Sequence, residues 1–379
     1  MRDTCIFYTD EAGLAPLLRL YPDCEKQKLR AHPDRSVFLH RERQKIVFAV
    51  ANDDLQRLTA LCRGLTFAGV FVYPTDSGSL PERPLPIDIS KPRLDYLEAE
   101  ICHVCNLNCR ACTNYSNLRQ KTGFYELAQF EKDLRKLKEL FWGITKIRLM
   151  GGEPLINPET ADYAALCREI FPDCDLRIAS NGLLLPTVKP ETLGRLRDCG
   201  ASFDISEYPP TRAKKEEIKK TVSAAGLRVS FGVPIRVFFK LLREKPNADP
   251  REAFRNCIFS NCHIIEDGWL APCTSAMCID RFNAFYGEHY PQTDRFALTD
   301  PSLDGWQIIE AFSHPHEFCR YCGTGLIPVK WEGHVGPERA KKEDWLIRDS
   351  FLSDKIAPLI QKTLKPAALR LRETLQKKQ

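Results

Sequence analysis

The chain has 379 residues, 43% of them hydrophobic and 28% charged, a composition typical of a soluble globular protein with two or three domains. The net charge of +5 is mild and comes partly from roughly the last thirty residues, so it does not indicate nucleic-acid binding. No run of about 18 apolar residues is present and the start of the chain does not look like a signal peptide, so we expect no transmembrane segment and a cytoplasmic location.

Residues 1–75 predict a small α/β domain. Apolar runs at 5–8, 46–50 and 70–73 read as strands, and the segments 12–20 and 54–63 read as helices. This β-α-β-α-β order predicts a half-Rossmann-like unit. It lacks G-x-G-x-x-G, so we expect a scaffold or partner-docking role for it. The Pro-rich stretch 76–94 reads as a linker.

Residues 95–250 predict a repeated β/α unit. Strands are expected at 97–103, 146–150, 175–179, 202–206 and 227–233, with helices at 126–141, 160–171, 190–198 and 212–225. Such alternation predicts a parallel sheet.

The first predicted strand of this region leads into three closely spaced cysteines. Cys105, Cys109 and Cys112 form a C-x3-C-x2-C pattern that supplies three thiolates from one loop. A cubane [4Fe–4S] cluster normally takes four cysteine ligands, so three ligands leave one iron open to bind a reactant. A zinc knuckle is the alternative, although zinc sites favour two C-x2-C pairs or mixtures with histidine.

A glycine-rich turn follows the second strand. Gly151, Gly152 and Glu153 come directly after the predicted strand 146–150. Two glycines allow positive φ and a close backbone approach, and the carbonyls and carboxylate of the turn can accept hydrogen bonds from an ammonium group. An ordinary Gly-Gly turn is the alternative for this motif taken alone.

The triad and the turn, about 40 residues apart, together resemble the radical S-adenosylmethionine (radical SAM) enzymes. The resemblance implies an α/β fold with a partial (β/α)6 barrel, and a [4Fe–4S] cluster on the triad that binds and cleaves S-adenosylmethionine. It also implies that the turn binds the methionine end of that cofactor, and that polar groups at later strand ends bind its ribose or carboxylate. The cofactor-binding candidates are Gly151, Gly152, Glu153, Ser180, Asn181 and Ser206. Ala111 departs from the family pattern, which usually has an aromatic residue near the adenine at this position.

A second cysteine-rich region predicts another metal site. Asp267 and Gly268 read as a type I′ hairpin turn, which would place Cys262 opposite Cys273. Further along the chain, Cys319 and Cys322 supply a C-x2-C pair, which completes a set of four thiolates for an auxiliary [4Fe–4S] cluster. The sixteen cysteines of the chain fit a reducing cytosol better than a disulfide framework.

The region 251–335 resembles the auxiliary-cluster extensions called SPASM and twitch. Cys257, Gly268 and Cys273 fit their spacing, so Cys257 and Cys262 compete for one ligand position. A zinc site, a disulfide and free thiols remain alternatives for these cysteines. The last segment, 336–379, reads as a basic amphipathic helix over 354–377.

The predicted function is hydrogen-atom abstraction from substrate by a 5′-deoxyadenosyl radical. Three roles are open for the auxiliary cluster: it accepts an electron from the substrate radical, it anchors the substrate, or it only stabilises the fold. The resemblance favours a sugar or nucleotide sugar of bacterial glycan biosynthesis as substrate, and an external electron donor such as flavodoxin or ferredoxin. A peptide-modifying maturase is the alternative, and a non-catalytic Fe–S or zinc scaffold is an alternative from another class.

Overall fold

The computed structural model describes residues 4–29, 33, 36–39, 41, 44–62, 65, 67–75, 84–118, 123–257, 259–323 and 327–347. The predicted linker residues 76–83 and the predicted helix 354–377 lie outside these ranges. The chain divides into two compact units. No helix within the described ranges has the length and apolar character needed to cross a bilayer.

The first unit comprises Met1–Asp95, Lys136–Thr145 and Leu303–Ile309. Its elements are β1 (Thr4–Tyr8), α1 (Glu11–Leu20), β2 (Glu25–Lys28), α2 (Ser36–Leu39), β3 (Lys45–Val50), α3 (Asn52–Cys62), β4 (Gly69–Pro74) and β5 (Leu85–Pro86). The sheet order is β2-β1-β3-β4-β5, with β1 to β4 parallel and β5 antiparallel to β4. The predicted α/β character is confirmed. The sequence reading missed β2, because its residues are polar, as is common in an edge strand.

The second unit comprises Tyr96–Arg135, Lys146–Ser302 and Glu310–Gln379. The elements that lie wholly or mainly in its first half are β6 (Arg93–Cys102), α4 (Leu127–Leu140), β7 (Gly143–Gly151), α5 (Thr160–Ile170), β8 (Asp175–Ser180), α6 (Pro190–Asp198), β9 (Ser202–Ile205), α7 (Pro209–Ala213), α8 (Lys215–Ala224) and β10 (Arg228–Phe231). Strands β7 to β10 pair in parallel, and β6 lies beside β7. The result is a partial β/α barrel, as predicted.

Helices of this unit form where apolar residues recur at helical spacing. Helix α4 buries Phe130, Leu134 and Leu137, which lie on one face. The predicted continuous helix 212–225 is wrong, because the helical segment begins at Pro209 and is interrupted at Lys214, whose φ and ψ are −104° and 9°. Proline is tolerated in the first turn of a helix, which permits this early start.

The remaining elements are β11 (Val237–Phe239), β12 (Leu242–Arg243), α9 (Pro250–Arg255), β13 (Ile264–Glu266), β14 (Trp269–Ala271), α10 (Thr274–Tyr286), β15 (Phe296–Ala297), α11 (Gly305–Phe312), β16 (Pro328–Lys330) and β17 (Leu346–Ile347). Strand β11 pairs with β16 in a separate ladder, so the next strand after β10 does not extend the sheet. On its other side the sheet continues through β13, β14 and β15.

The hairpin β13–β14 has the predicted register. Glu266 pairs with Trp269, and Asp267 and Gly268 have φ values of 46° and 83°, the positive values that a type I′ turn requires. Strand β13 runs parallel to β6, with Ile264 opposite Glu98. The hairpin therefore joins the cysteine-rich region to the same sheet as the triad.

Candidate active site

The three triad cysteines lie on the loop after β6 and line one cavity of about 340 Å³. The loop bends sharply, because Asn108 and Ala111 have positive φ values of 42° and 55°. Burial, with a further contribution from Cys112, raises the pKa of the Cys105 thiol to about 12. Forming thiolates here therefore requires a nearby positive charge, and iron supplies one. The donor set fits an iron–sulfur cluster.

The Gly151-Gly152 turn packs directly against the strand end that leads into the cysteine loop. Gly152 N donates to Cys102 O at 2.7 Å, and Glu153 N donates to Val104 O at 2.8 Å. A Cβ atom on Gly151 would lie 2.1 Å from Cys102 O, and one on Gly152 would lie 2.1 Å from Val104 O. Both positions therefore require glycine, and the turn is held in register with the loop.

Glu153 is buried beneath the turn, with 0% of its surface exposed. Its carboxylate accepts hydrogen bonds from Ser180 Oγ at 2.7 Å, Asn181 N at 2.8 Å and Leu155 N at 3.2 Å. Burial raises its pKa from 4.5 to about 7, although these three donors act in the opposite direction. The carboxylate joins the ends of β7 and β8, and it is not among the groups that line the cavity.

The other predicted cofactor-binding residues face the cavity. Ser180, Asn181 and Ser206 line it together with Gly151 and Gly152. Asn181 Nδ2 donates to Asn106 Oδ1 at 2.7 Å, and Ser206 N donates to Ser180 O at 2.9 Å. The strand ends and the cysteine loop thus form one polar rim.

Sequence reasoning missed a charged wall of the same cavity. Glu98, Arg148, Thr274 and Ser275 line it. Thr274 Oγ1 donates to Glu98 Oε2 at 3.0 Å, and Arg148 Nη1 lies 3.7 Å from Glu98 Oε1. Burial raises the pKa of Glu98. A charged residue inside a strand of a parallel sheet is unusual, and this signal could have drawn attention to both residues.

An aromatic group lies beside the triad. Tyr208 and Phe238 line the cavity, and their rings meet edge to face at 6.1 Å. The Trp331 ring stacks on the Tyr208 ring with 5.7 Å between the ring centroids. Trp331 Nε1 donates to Cys109 Sγ at 3.2 Å. Ala111 is buried and does not contribute to the cavity lining. Tyr208 and Phe238 therefore give the cavity aromatic surface that position 111 does not supply.

Four cysteines of the second region are electrostatic neighbours. Burial raises the pKa of the Cys322 thiol well above its usual value, and Cys273, Cys257 and Cys319 raise it further. Burial likewise raises the pKa of Cys273 to about 12, with further contributions from Cys257 and Cys319. None of the four is in a disulfide bond.

Cys262 has different surroundings. It lines the same cavity as the triad. Burial raises the pKa of its thiol, Glu98 raises it further and Arg148 lowers it, and Cys273 and Cys257 make smaller contributions. Cys278, a reserve ligand in the sequence reading, is buried elsewhere and donates to Glu100 Oε2 at 3.3 Å.

Known proteins resemble the chain in the region that carries this site. The family model described as the Radical SAM superfamily matches residues 100–227. The GTP 3′,8-cyclase of Sulfurovum sp. is 30% identical over 271 residues, which cover 64% of this chain and 79% of that relative. The chain therefore belongs to the radical SAM superfamily, whose members use S-adenosylmethionine and a [4Fe–4S] cluster.

Two further similarities are more limited. The PqqA peptide cyclase of Gluconobacter oxydans is 29% identical over 154 residues, which cover 39% of this chain and 42% of that relative. A crystal structure of BtrN in complex with AdoMet and 2-DOIA is 18% identical, covers 60% of this chain and 85% of that one, and gives a TM-score of 0.39.

Proposed function

We propose that this radical SAM enzyme removes a hydrogen atom from a small, polar, phosphate-bearing substrate, a phosphorylated sugar or a nucleotide sugar. One observation carries the proposal: the triad, the glycine turn, the polar strand ends and the charged wall all line a single cavity. Reactant groups bound to these elements are held within reach of one another, as catalysis by positioning requires.

Each part of the site has a separate task. Cys105, Cys109 and Cys112 would hold the [4Fe–4S] cluster, and Gly151 and Gly152 would present backbone groups to the methionine end of S-adenosylmethionine. Ser180, Asn181 and Ser206 bind its polar groups. When bound, the cluster would supply one electron, taken from an external donor, to cleave S-adenosylmethionine into methionine and a 5′-deoxyadenosyl radical. The residues of the chain would bind and orient the cofactor and the substrate.

Glu153 acts as a positioning residue in this proposal. Its two oxygens already accept three hydrogen bonds from the protein. It holds Ser180 and Asn181 at the cavity rim, so the carbonyl groups of the turn, rather than this carboxylate, are the proposed acceptors for the ammonium of the cofactor.

The charged wall supports a polar substrate. Glu98 and Arg148 lie near the middle of β6 and β7. Glu98 is about 13 Å from the end of β6 at 3.3 Å per residue, and the triad follows that strand end. Arg148 can bind a phosphate, and Thr274 can bind hydroxyl groups. The relatives named GTP 3′,8-cyclase act on a nucleotide, which is consistent with a phosphate-bearing substrate here.

An auxiliary [4Fe–4S] cluster on Cys257, Cys273, Cys319 and Cys322 forms the second part of the proposal. A tetrahedral zinc site with Zn–S bonds of 2.3 Å needs sulfur atoms about 3.8 Å apart. Across the described ranges, the groups of ligand atoms that lie within 4.8 Å of one another include Cys278 with two carboxylates, and His103 with two carboxylates, and contain no trio of these thiols. A set of four thiolates matches the usual ligation of a [4Fe–4S] cluster.

A peptide substrate is the second candidate, favoured by the partial similarity to a peptide cyclase. Deuterated nucleotide sugars, sugars and peptides presented to the reconstituted enzyme distinguish the two. Transfer of deuterium to 5′-deoxyadenosine from a nucleotide sugar supports the proposal, and transfer only from a peptide contradicts it.

Anaerobic reconstitution followed by iron and sulfide counting tests the two clusters. We expect about eight irons in the parent and about four when the triad is changed to alanine. About four irons in the parent and none in the triad variant would mean that the auxiliary site holds no cluster.

A further inference from the structure

Trp331 places a hydrogen-bond donor on one of the three triad sulfurs. Its indole Nε1 donates to Cys109 Sγ at 3.2 Å. The indole N–H is only ever a donor and does not titrate in the physiological range. The contact joins residues 222 positions apart in the chain, so it reflects tertiary structure rather than local geometry.

The indole is held from both sides. Trp331 N donates to Arg236 O at 3.0 Å directly after the β11–β16 ladder, and the ring stacks on Tyr208 with an interplanar angle of 29°. A donor fixed by its own backbone and by a stacked ring keeps its direction when the charge on the sulfur changes.

The segment after Trp331 also binds the cysteine loop through its backbone. Arg110 N donates to Glu332 O at 2.8 Å, His334 N donates to Leu107 O at 2.6 Å, and Val335 N donates to Asn108 O at 2.8 Å. We call residues 331–335 the strap. It runs along the loop from residue 107 to residue 110 and keeps the indole beside Cys109.

Hydrogen bonds to the sulfur ligands are among the factors that set the reduction potential of an iron–sulfur cluster. A donor stabilises the more negative, reduced form more than the oxidised form. We propose that Trp331 is a positioning residue that raises the midpoint potential of the triad cluster through its N–H bond to Cys109. The inference rests on the proposed cluster at the triad.

Trp331→Phe removes the N–H group and keeps an aromatic ring to stack on Tyr208. We expect the variant to retain its iron and to show a midpoint potential shifted to more negative values in a redox titration followed by electron paramagnetic resonance. The triad cluster is the one whose signal changes when S-adenosylmethionine is added. Iron retained with an unchanged potential would overturn the inference.

Trp345→Phe is the matched control. Trp345 Nε1 also bonds to a triad residue, but it donates to the Cys112 carbonyl oxygen at 2.8 Å rather than to sulfur. We expect no comparable shift in the midpoint potential of the triad cluster in this variant. An equal shift in both variants would mean that packing, rather than the N–H to sulfur bond, sets the potential.

A measurement on the unaltered enzyme does not depend on how the variants fold. Protein with 15N in the tryptophan indole should show a nitrogen hyperfine coupling on the S-adenosylmethionine-responsive cluster, and an exchangeable proton coupling that disappears in deuterium oxide. Absence of both couplings, with the cluster present, would overturn the inference. Absence of iron at the triad would instead overturn the proposed function.

Discussion

The Glu153 carboxylate accepts a hydrogen bond from the Ser180 hydroxyl at 2.7 Å, which ties the turn after β7 to the end of β8. The same carboxylate accepts from Asn181 N at 2.8 Å, so two residues at the cavity rim depend on one buried group. A carboxylate without exposed surface loses its hydration, and its ionised form is correspondingly less stable than in water.

This burial predicts a pH dependence of stability. The pKa of Glu153 rises from 4.5 to about 7 on folding, mainly because of desolvation. The folded state then binds a proton more tightly than the unfolded state. The contribution of this proton to the free energy of unfolding is therefore fully present below pH 4.5 and is lost as the pH rises through about 7. A shift of this size corresponds to about 3 kcal/mol at 1.36 kcal/mol per pKa unit.

Glu153→Gln isolates this contribution, because glutamine does not titrate. We expect the unfolding free energy of the parent, relative to that of the variant, to fall by about 3 kcal/mol between pH 4.5 and pH 7 in urea titrations at matched iron content. The variant should also lose about 1–3 kcal/mol of unfolding free energy, because a glutamine NH2 group in place of a carboxylate oxygen cannot accept the hydrogen bond from Asn181 N. Parallel pH profiles would show that Glu153 keeps an ordinary pKa.

Gly152→Ala should displace the cysteine loop. The added Cβ would lie 2.1 Å from Val104 O, a backbone atom that cannot move without its neighbours. We expect a loss of about 1–3 kcal/mol of stability and a lower iron content after reconstitution.

Gly194→Ala is the control for that change. It lies in α6, and the nearest atom to the added Cβ would be the flexible end of Arg197 at 3.8 Å. Iron content should match the parent, and stability should be equal or slightly higher. Equal iron in both variants would mean that the close approach at Gly152 has no effect on the triad.

Iron counting on single variants should show which of the two candidate cysteines is a ligand of the auxiliary cluster. Cys257 is an electrostatic neighbour of Cys273, Cys319 and Cys322, whereas Cys262 lines the triad cavity. We expect Cys257→Ala to reduce about eight irons to about four, and Cys262→Ala to retain about eight. The reverse pattern would assign Cys262 to the auxiliary cluster.

The sequence was informative where the site is local in the chain. The triad spans eight residues and the glycine turn follows one strand directly, so spacing alone predicted both. The hairpin register around Asp267 and Gly268 was equally local, since the turn type sets the pairing.

Contacts between distant parts of the chain were not predictable in this way. Trp331 reaches Cys109 across 222 positions, and Arg148 faces the cavity because of the side of β7 on which it lies. The choice between Cys257 and Cys262 depends on how the hairpin and the later C-x2-C pair fold together. The sequence spacing is compatible with either cysteine as the fourth ligand, so the choice between them needs the tertiary structure.

Arg148 is the residue on which the proposed substrate class depends most. Its Nη1 lies 3.7 Å from Glu98 Oε1, and its Nε lies 3.6 Å from Asp204 Oδ2 without a hydrogen-bond partner. Nη1 also donates to Tyr96 Oη at 3.5 Å, and these long contacts keep the guanidinium charged at the cavity wall. Arg148→Lys retains the charge but loses the planar fork that binds phosphate through two bonds.

We expect Arg148→Lys to raise KM for an active nucleotide sugar about 10-fold to 100-fold, the equivalent of about 1.5–3 kcal/mol for a charged hydrogen bond. The slow cleavage of S-adenosylmethionine without substrate should not change. Arg177→Lys is the control, because Arg177 also pairs with Asp204, at 2.9 Å, but does not line the cavity. Equal KM values in the two variants and the parent would exclude Arg148 from substrate binding and remove the main support for a phosphate-bearing substrate.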